Sequence, residues 1–303
     1  MVTGASGLLG GNLVVAALNR GLDIAVTYHR YAIRFPGTRA FSMDATDPAQ
    51  IESTLRSVRP DWIIHCAAAT DVDWCEDHPR EAQRINVDGP IRLAAAAARA
   101  SARFAFISTD AVFDGRTGRY GETDPAAPVN VYGSTKRTAE SSVLADLPSS
   151  LVIRTNIYGW NIQPKQSLAE WILGRLEAGN EVPGFSDVVF TPILATHLSE
   201  ILLDMMDRSL EGLYHVAGSE ALTKYEFATR VANVFGHPAQ SIRPIPIADA
   251  RLRAPRPRNT SLRTDKAAHA LGTPMPSVDA GLRRFKGDRD SGVVAKLKGY
   301  GGG

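Results

Sequence analysis

The sequence predicts an α/β protein in which a doubly wound parallel sheet is joined by a smaller, mixed α/β lobe. Short apolar runs that suit buried strands alternate with stretches of helical periodicity over residues 1–159. A glycine-rich turn, Gly4 to Gly10, stands where the first strand gives way to a helix. This combination is typical of the nucleotide-binding form of the architecture, the Rossmann fold.

The predicted elements follow one another without an internal repeat or a long linker. Only Met1, Val2 and Thr3 precede the glycine turn, although a strand in this place normally has about 5–6 residues. We therefore expect the first strand to be nearly absent, either through an artefact of the start site or in a genuinely shortened chain. The remaining strands are predicted at 24–28, 62–67, 104–108 and 151–154, and the helices at 8–18, 48–58, 80–86, 90–102 and 131–144.

The chain after Gly159 is predicted to form the second lobe. An amphipathic helix at 167–179 opens it, and further elements follow at 190–193, 198–210, 213–216 and 224–235. The predicted division is a dinucleotide-binding domain over 1–159, completed by a return segment around 186–212, a substrate lobe over 160–290 and a disordered tail over 291–303.

Composition narrows the class of protein. Lys and Arg number 34 and Asp and Glu 32, so the formal net charge is +2, and no bulk attraction to nucleic acid or to a membrane is expected. Two cysteines, Cys66 and Cys75, are too few for a disulfide framework and favour the reducing cytoplasm. No apolar run approaches the roughly 20 residues of a membrane span. We expect a cytoplasmic protein without a metal site.

Three residues are predicted to carry the chemistry. Tyr132 and Lys136 stand one helical turn apart, and Thr109 follows a buried strand. Reduction of a ketone needs a proton donor beside the carbonyl oxygen, and a tyrosine has an ordinary pKa of about 10. The nearby ammonium of Lys136 is predicted to lower that pKa, while Thr109 polarises the substrate oxygen. The alternative, an ordinary pair on an amphipathic helix, would explain an isolated Tyr-x-x-x-Lys equally well.

The glycine turn and two strand ends supply the expected cofactor contacts. Backbone amides at a helix N-terminus favour the pyrophosphate of a dinucleotide. Arginine rather than a carboxylate follows the second strand, which suits the 2′-phosphate of NADP. We therefore predict NADPH. The residues predicted to contact it are Gly4, Ser6, Gly7, Leu8, Leu9, Gly10, His29, Arg30, Asp44 and Ala45.

Several stretches together carry a family resemblance. The sequence resembles extended short-chain dehydrogenases/reductases and, among them, most of all the dTDP-4-dehydrorhamnose reductase family. The matching stretches are residues 3–10, 66–73, 85–89, 107–115, 132–136, 154–159 and 256–262. Three departures border the family's sugar pocket, because Ala69, Ala111 and Ile157 stand where those reductases carry aromatic residues.

The resemblance implies further contacts. Ala67, Ala68 and Ala69 would line the cofactor, which Tyr132 and Lys136 would also touch, the lysine through the nicotinamide ribose. Asn156 and Tyr158 would line the sugar pocket. Thr70 and Asp110 would either touch the substrate or brace loops at strand ends, and the sequence leaves both readings open.

The resemblance also implies an activity and its alternatives. We expect an NADPH-dependent reductase of a keto group on a nucleotide-linked deoxysugar, acting on a small-molecule nucleotide sugar and forming a homodimer. One alternative is a non-catalytic, NADP-binding regulatory subunit, since one branch of the family regulates an S-adenosylmethionine synthetase. The other is a nucleotide-sugar epimerase.

Overall fold

The structure, a computed structural model, describes residues 1–301. Its strands are short and are distributed along the whole chain. They are β1 Val2–Thr3, β2 Ala25–Tyr28, β3 Arg39–Ser42, β4 Trp62–His65, β5 Arg103–Ile107, β6 Leu151–Arg154, β7 Ile157–Tyr158, β8 Val182–Phe185, β9 Val189–Phe190, β10 Ile193–Leu194, β11 Gly212–His215, β12 Leu222–Thr223 and β13 Ile242–Ile245.

Seven strands form one parallel sheet in the order β3-β2-β1-β4-β5-β6-β11. The order reverses direction at β1, which is where a doubly wound sheet binds its ligand. The predicted α/β fold class is confirmed. The two residues of β1 still fill the central position, since Val2 pairs with both Val26 and Ile64 and the Met1 carbonyl accepts from the Ile64 amide at 2.9 Å.

Helices cover both faces of this sheet. On one face α1 packs against α8, and on the other α2, α5 and α6 pack side by side over Phe104, Phe106 and Val152. The helices are α1 Leu8–Asn19, α2 Pro48–Val58, α3 Val72–Asp77, α4 Pro79–Gln83, α5 Gly89–Arg99, α6 Val131–Asp146, α7 Leu168–Glu177, α8 Ala195–Asp207, α9 Lys224–Phe235, α10 Asp265–Leu271, α11 Val278–Asp290 and α12 Val293–Gly299. Across residues 1–301, none of these helices combines the length and apolarity that crossing a bilayer requires.

The chain after β7 leaves the main sheet and then returns to it. Helix α8 packs on α1 and β11 pairs with β6 at the sheet edge. Between and beyond these elements, β8 pairs with β13, and α9 packs against α7 and α11. The division into a cofactor domain and a substrate lobe stays a prediction.

The expected disorder of the tail is wrong for residues 291–301. Val294 and Leu297 lie one turn apart on α12 and are buried against α1 and α11. The Tyr300 carbonyl accepts from the Arg34 amide at 2.9 Å, and the Tyr300 ring lies against Phe35. A short apolar stripe therefore orders a segment whose glycines and lysines look like a loop. Gly302 and Gly303 lie outside the described residues.

Candidate active site

The glycine turn connects β1 to α1 with its amides free of side-chain caps. Gly4 has φ +65°, a conformation that favours glycine, and a Cβ there would lie 2.6 Å from the Ala67 amide nitrogen. Gly7 is the exposed N-cap residue of α1, and no side chain there bonds the first amides of the helix. A Cβ on Gly10 would collide with the carbonyl of Gly4. The turn therefore fits a pyrophosphate, because its backbone can approach the ligand closely and the helix N-terminus attracts negative charge.

The loop after β4 forms the neighbouring wall of the same site. The Asn86 side chain holds Ala69 at both backbone groups, accepting from its amide at 2.8 Å and donating to its carbonyl at 3.0 Å. Asn86 lies in a π-helical turn, Arg84–Asp88, which joins α4 to α5 and turns this side chain towards the loop. The structure thus brings the predicted stretch Ala67–Ala69 against the glycine turn and fixes it there.

The residues predicted to receive the adenine end of the cofactor lie at the C-terminal ends of β2 and β3. His29 and Arg30 are exposed, and His29 Nε2 lies 3.9 Å from the Asp44 carboxylate. Burial alone would raise the pKa of Asp44, but bonds from Thr46 and the charges of His29 and Arg84 outweigh it and hold the pKa below its usual value. A fixed carboxylate beside Ala45, with the free guanidinium of Arg30 at the rim, fits the ribose end of a dinucleotide.

Thr109, Tyr132 and Lys136 come together where β5 ends and α6 begins. Asn130 caps α6 by accepting from the Gly133 amide at 2.8 Å, which sets the helix start beside Thr109. The Lys136 ammonium donates to the Ile107 carbonyl at 2.7 Å and lies over the ring of Phe106. Burial lowers the pKa of Lys136 to about 8.

One electrostatic prediction is wrong. Burial of the phenol raises the pKa of Tyr132, and the Asp110 charge acts in the same sense, while the Thr109 hydroxyl opposes them. The Lys136 ammonium, which donates to the Ile107 carbonyl, does not offset this rise in the pKa of Tyr132. Tyr132 is therefore a protonated phenol at neutral pH, which suits a proton donor.

The substrate side is built around the buried Asp110. Its Oδ2 accepts from Asn156 at 2.8 Å and from Thr260 at 2.5 Å, and its Oδ1 accepts from Thr109 at 3.2 Å. The structure therefore brings the predicted residues Asp110 and Asn156 together with the catalytic candidates. Thr70 is exposed and accepts from Lys165 at 3.2 Å.

Tyr158 does not lie with these residues. Its ring is 1% exposed and packs edge-on against Phe227 and Phe285 in the apolar core. The expectation that Tyr158 contacts the substrate is wrong, since β7 turns this side chain under the lobe. His65 is likewise a core residue, as the sequence suggested: Nδ1 bonds Thr3 at 2.7 Å, and burial lowers its pKa to about 3.

A loop from the second lobe closes over the start of α6. Asp73 of α3 accepts from the Ala254 amide and from Arg256, at 2.9 and 3.0 Å. Asn130 donates to the Pro255 carbonyl at 2.9 Å. Beyond this contact, an open groove of ≈ 490 Å³ lies between residues 114–116 and 255–259. Arg256 therefore braces the loop, whereas Arg258 is largely exposed.

A buried ion pair connects α6, the helix that carries Tyr132 and Lys136, to strand β6 of the sheet. Arg154 of β6 donates to both oxygens of Glu140, with Nη2 at 2.8 Å and Nε at 3.0 Å, and neither side chain is more than 2% exposed. Glu140 stands one turn after Lys136, and its charge raises the lysine's pKa against the effect of burial. Because both partners are fully bonded, the pair anchors α6 to the sheet.

Comparison with known proteins agrees with this site. The pattern of one protein family, the RmlD substrate binding domain, matches residues 1–289. The chain belongs to this family. The resemblance inferred from the sequence is therefore confirmed.

Three relatives illustrate the range of the family. The chain is 34% identical to a probable low-salt glycan biosynthesis reductase, Agl14, of Haloferax volcanii, covering 93% of this chain and 95% of that protein. It is 34% identical to a dTDP-4-dehydrorhamnose reductase of Mycobacterium tuberculosis, covering 91% and 88%. It is 30% identical to the methionine adenosyltransferase 2 subunit beta of Bos taurus, covering 86% and 79%.

A solved structure of a family member is also similar. The dTDP-4-dehydrorhamnose reductase of Bacillus anthracis, crystallised in complex with NADP, superposes with a TM-score of 0.81 at 26% identity. The match covers 95% of this chain and 98% of that one. The similarity to this reductase thus extends over almost the whole chain.

The sequence-based site misses three residues that the structure places in it. Thr260 bonds Asp110, and the charge of Lys224 acts on it; Thr260 lies in the matched stretch 256–262, whereas no local pattern marks Lys224. Asn86 lies in the matched stretch 85–89 but is not among the predicted site residues. Its signal was the stretch 85–89, which matches the family within a helix.

Proposed function

We propose that the protein is an NADPH-dependent reductase of a keto group on a nucleotide-linked deoxysugar, as its dTDP-4-dehydrorhamnose reductase relatives are named. The observation that carries this proposal is the meeting of Thr109, Tyr132 and Lys136 beside a turn and loop shaped for a dinucleotide. NADPH would supply the hydride. The amides at the uncapped start of α1 would hold its pyrophosphate, and Arg30 would bond its 2′-phosphate.

The chain's own residues account for the rest of the reaction. The Tyr132 phenol donates a proton to the carbonyl oxygen, and its raised pKa keeps that proton in place until the oxygen becomes negative. Thr109 rotates its hydroxyl from Asp110 towards the same oxygen. Lys136, anchored by the Ile107 carbonyl, supplies positive charge between the phenol and the cofactor ribose.

A steady-state assay tests this proposal. The protein is incubated with NADPH and dTDP-4-dehydrorhamnose, and cofactor oxidation and the sugar product are both followed. We expect stoichiometric formation of NADP⁺ and of a reduced sugar nucleotide. NADPH binding without any turnover would contradict the proposal.

A regulatory subunit is the second candidate. Ala111 and Ile157 are half-buried near the sugar side, and small or aliphatic residues there would suit a site that no longer holds a sugar. The relatives named methionine adenosyltransferase 2 subunit beta give this candidate a precedent. Binding of a methionine adenosyltransferase catalytic subunit, together with an inactive reductase assay, would favour it.

We also propose a cytoplasmic location and a homodimer. The free thiols of Cys66 and Cys75 support the location, and burial raises the pKa of Cys66 to about 12, so this thiol is protected rather than reactive. The homodimer follows from the family resemblance. Light scattering of the purified protein would measure its mass, and a monomeric mass at all concentrations would contradict it.

A further inference from the structure

The four residues after β2, residues 29–32, carry Arg30 on a loop that has little support of its own. All four are exposed, and within residues 1–301 none of their backbone groups makes a backbone hydrogen bond. An arginine on such a loop must be ordered when it binds a phosphate, and that ordering costs binding free energy. The contacts that fix the ends of the loop therefore bear on how well Arg30 can bind.

The residues that follow this loop segment are held by the C-terminal tail. The Arg34 amide donates to the Tyr300 carbonyl at 2.9 Å, and Ile33 pairs with Gly301 in an antiparallel bridge. The Phe35 ring is 2% exposed and packs on the Tyr300 ring, with 4.8 Å between the two centroids. The unsupported segment therefore runs between two fixed points, β2 at one end and this contact with the tail at the other.

The tail is in turn anchored to the core of the protein. Val294 and Leu297 are buried, and their helix, α12, packs on α1 and α11. A Cβ on Gly301 would lie 2.9 Å from the Ile162 carbonyl oxygen, and the Ile162 side chain lies over Gly11 of α1, where a Cβ would meet it at 3.4 Å. The tail therefore connects α1, whose N-terminus faces the expected pyrophosphate, to the loop after β2.

We propose that the tail positions Arg30 for the 2′-phosphate of NADPH, with Tyr300 as the positioning residue. Tyr300 acts through the loop and does not touch the cofactor: its ring and its carbonyl hold the far end of the segment, so that less ordering is needed when Arg30 binds. The inference rests on the cofactor assignment of the proposed function. Helix α12 begins after residue 289, where the match to the family pattern ends, so that pattern does not include this support.

The test measures the dissociation constants of NADPH and NADH for the unmodified protein and for variants at the contact. Tyr300→Ala removes the ring that packs on Phe35, whereas Tyr300→Phe keeps it. Val231→Ala is the matched control for a loss of apolar packing elsewhere, because Val231 is fully buried in α9, which packs on α7 and α11. The melting temperature of each variant is recorded as well.

We expect Tyr300→Ala to weaken NADPH binding by about 2- to 12-fold, the effect of ordering one flexible side chain on binding. NADH binding should change little, because NADH has no 2′-phosphate for Arg30 to bond, so the preference for NADPH falls by the same factor. Tyr300→Phe should keep the preference. Val231→Ala should lower the melting temperature without changing the preference.

Two further variants separate positioning from a direct contact. In an Arg30→Ala background, Tyr300→Ala should cause no further loss of the preference, because no guanidinium remains to be positioned. Phe35→Leu removes the same ring contact from the side of the loop. With Arg30 in place, it should reproduce the effect of Tyr300→Ala.

Three results would overturn the inference. One is an unchanged preference in Tyr300→Ala or, should that variant not fold, in Phe35→Leu. The others are an equal loss of affinity for both cofactors and an additive loss in the double variant. A preference that depends on Tyr300, in a protein that turns over no nucleotide 4-ketosugar, would instead overturn the proposed reductase function and leave this inference standing.

Discussion

The two sides of the cleft are built from different parts of the polypeptide. The cofactor side consists mainly of backbone, namely the turn at Gly4–Gly10 and the loop at Ala67–Ala69, held against each other by close approach. The substrate side consists of side chains, with Asp110 at its centre and Thr260 bonded to it from 150 residues further along the chain. The difference teaches that the binding of a common ligand is determined by local backbone geometry, whereas substrate choice depends on residues far apart in the chain.

The two sides also differ in how completely their polar groups are bonded. On the cofactor side, Asn86 uses both ends of its amide to fix Ala69. The buried pair Glu140–Arg154, beneath the catalytic helix, is likewise fully bonded. On the substrate side, the half-buried Lys224 ammonium lies over the Phe190 ring, and within residues 1–301 it makes no hydrogen bond to the protein. The bonded groups of the cofactor side therefore support the fold, whereas the Lys224 ammonium contributes no such bond.

Tyr132 stands between the two sides, and its removal should have the largest effect. Tyr132→Phe deletes only the hydroxyl, so we expect kcat to fall by roughly 10²–10⁴-fold, the contribution of a positioned proton donor. NADPH affinity should change little. Tyr214→Phe, on the edge strand β11 beneath Lys266, is the control and should keep full activity. Retained turnover in Tyr132→Phe would exclude this residue as the acid.

Substitution of Arg30 tests the cofactor side alone. Its guanidinium is exposed at the tip of β2, so Arg30→Ala should weaken NADPH binding without affecting NADH, which lacks the 2′-phosphate. The preference should fall by about 10- to 150-fold, the effect of one charge-assisted bond. Dissociation constants for both cofactors measure it, with the exposed Arg283→Ala as control. Equal affinities for NADPH and NADH in the unmodified protein would contradict the prediction at once.

Asn86 tests whether the Ala67–Ala69 loop belongs to the cofactor side. Asn86→Ala removes two hydrogen bonds to the half-buried backbone of Ala69, which should reduce the free energy of unfolding by about 1–3 kcal/mol. NADPH binding should weaken as well, because the loop loses its support. Asn233→Ala, on the exposed face of α9, is the matched control for both measurements. A loss of stability with unchanged NADPH affinity would separate this loop from the cofactor site.

The sequence predicts the cofactor side far better than the substrate side. Glycine spacing and the Tyr132–Lys136 spacing reflect local geometry, and a local pattern can be recognised without knowing the fold. Tyr158 was misplaced because its neighbours, Phe227 and Phe285, come from helices about 70 and 130 residues further along the chain. Lys224 was missed for the same reason, since only the folded chain brings its charge near enough to act on the pKa of Asp110.

The C-terminal tail and the proton donor Tyr132 show two further limits of prediction from the sequence. Residues 291–301 are ordered by two buried side chains, Val294 and Leu297, and by pairing of Gly301 with Ile33, a contact that composition does not reveal. The pKa of Tyr132 depends on burial and on where the Lys136 ammonium points. Spacing places a charge near the phenol, but it does not show that the Ile107 carbonyl holds that charge.

Transfer of deuterium from labelled cofactor tests the central claim most directly. NADPH carrying deuterium at the transferred position is incubated with the protein and a nucleotide-linked 4-ketohexose, and the products are analysed by mass spectrometry and NMR. A net reductase places the deuterium on the former carbonyl carbon of the sugar and forms an equivalent amount of NADP⁺. An epimerised sugar without net cofactor oxidation, or bound NADPH with no transfer at all, would contradict the account.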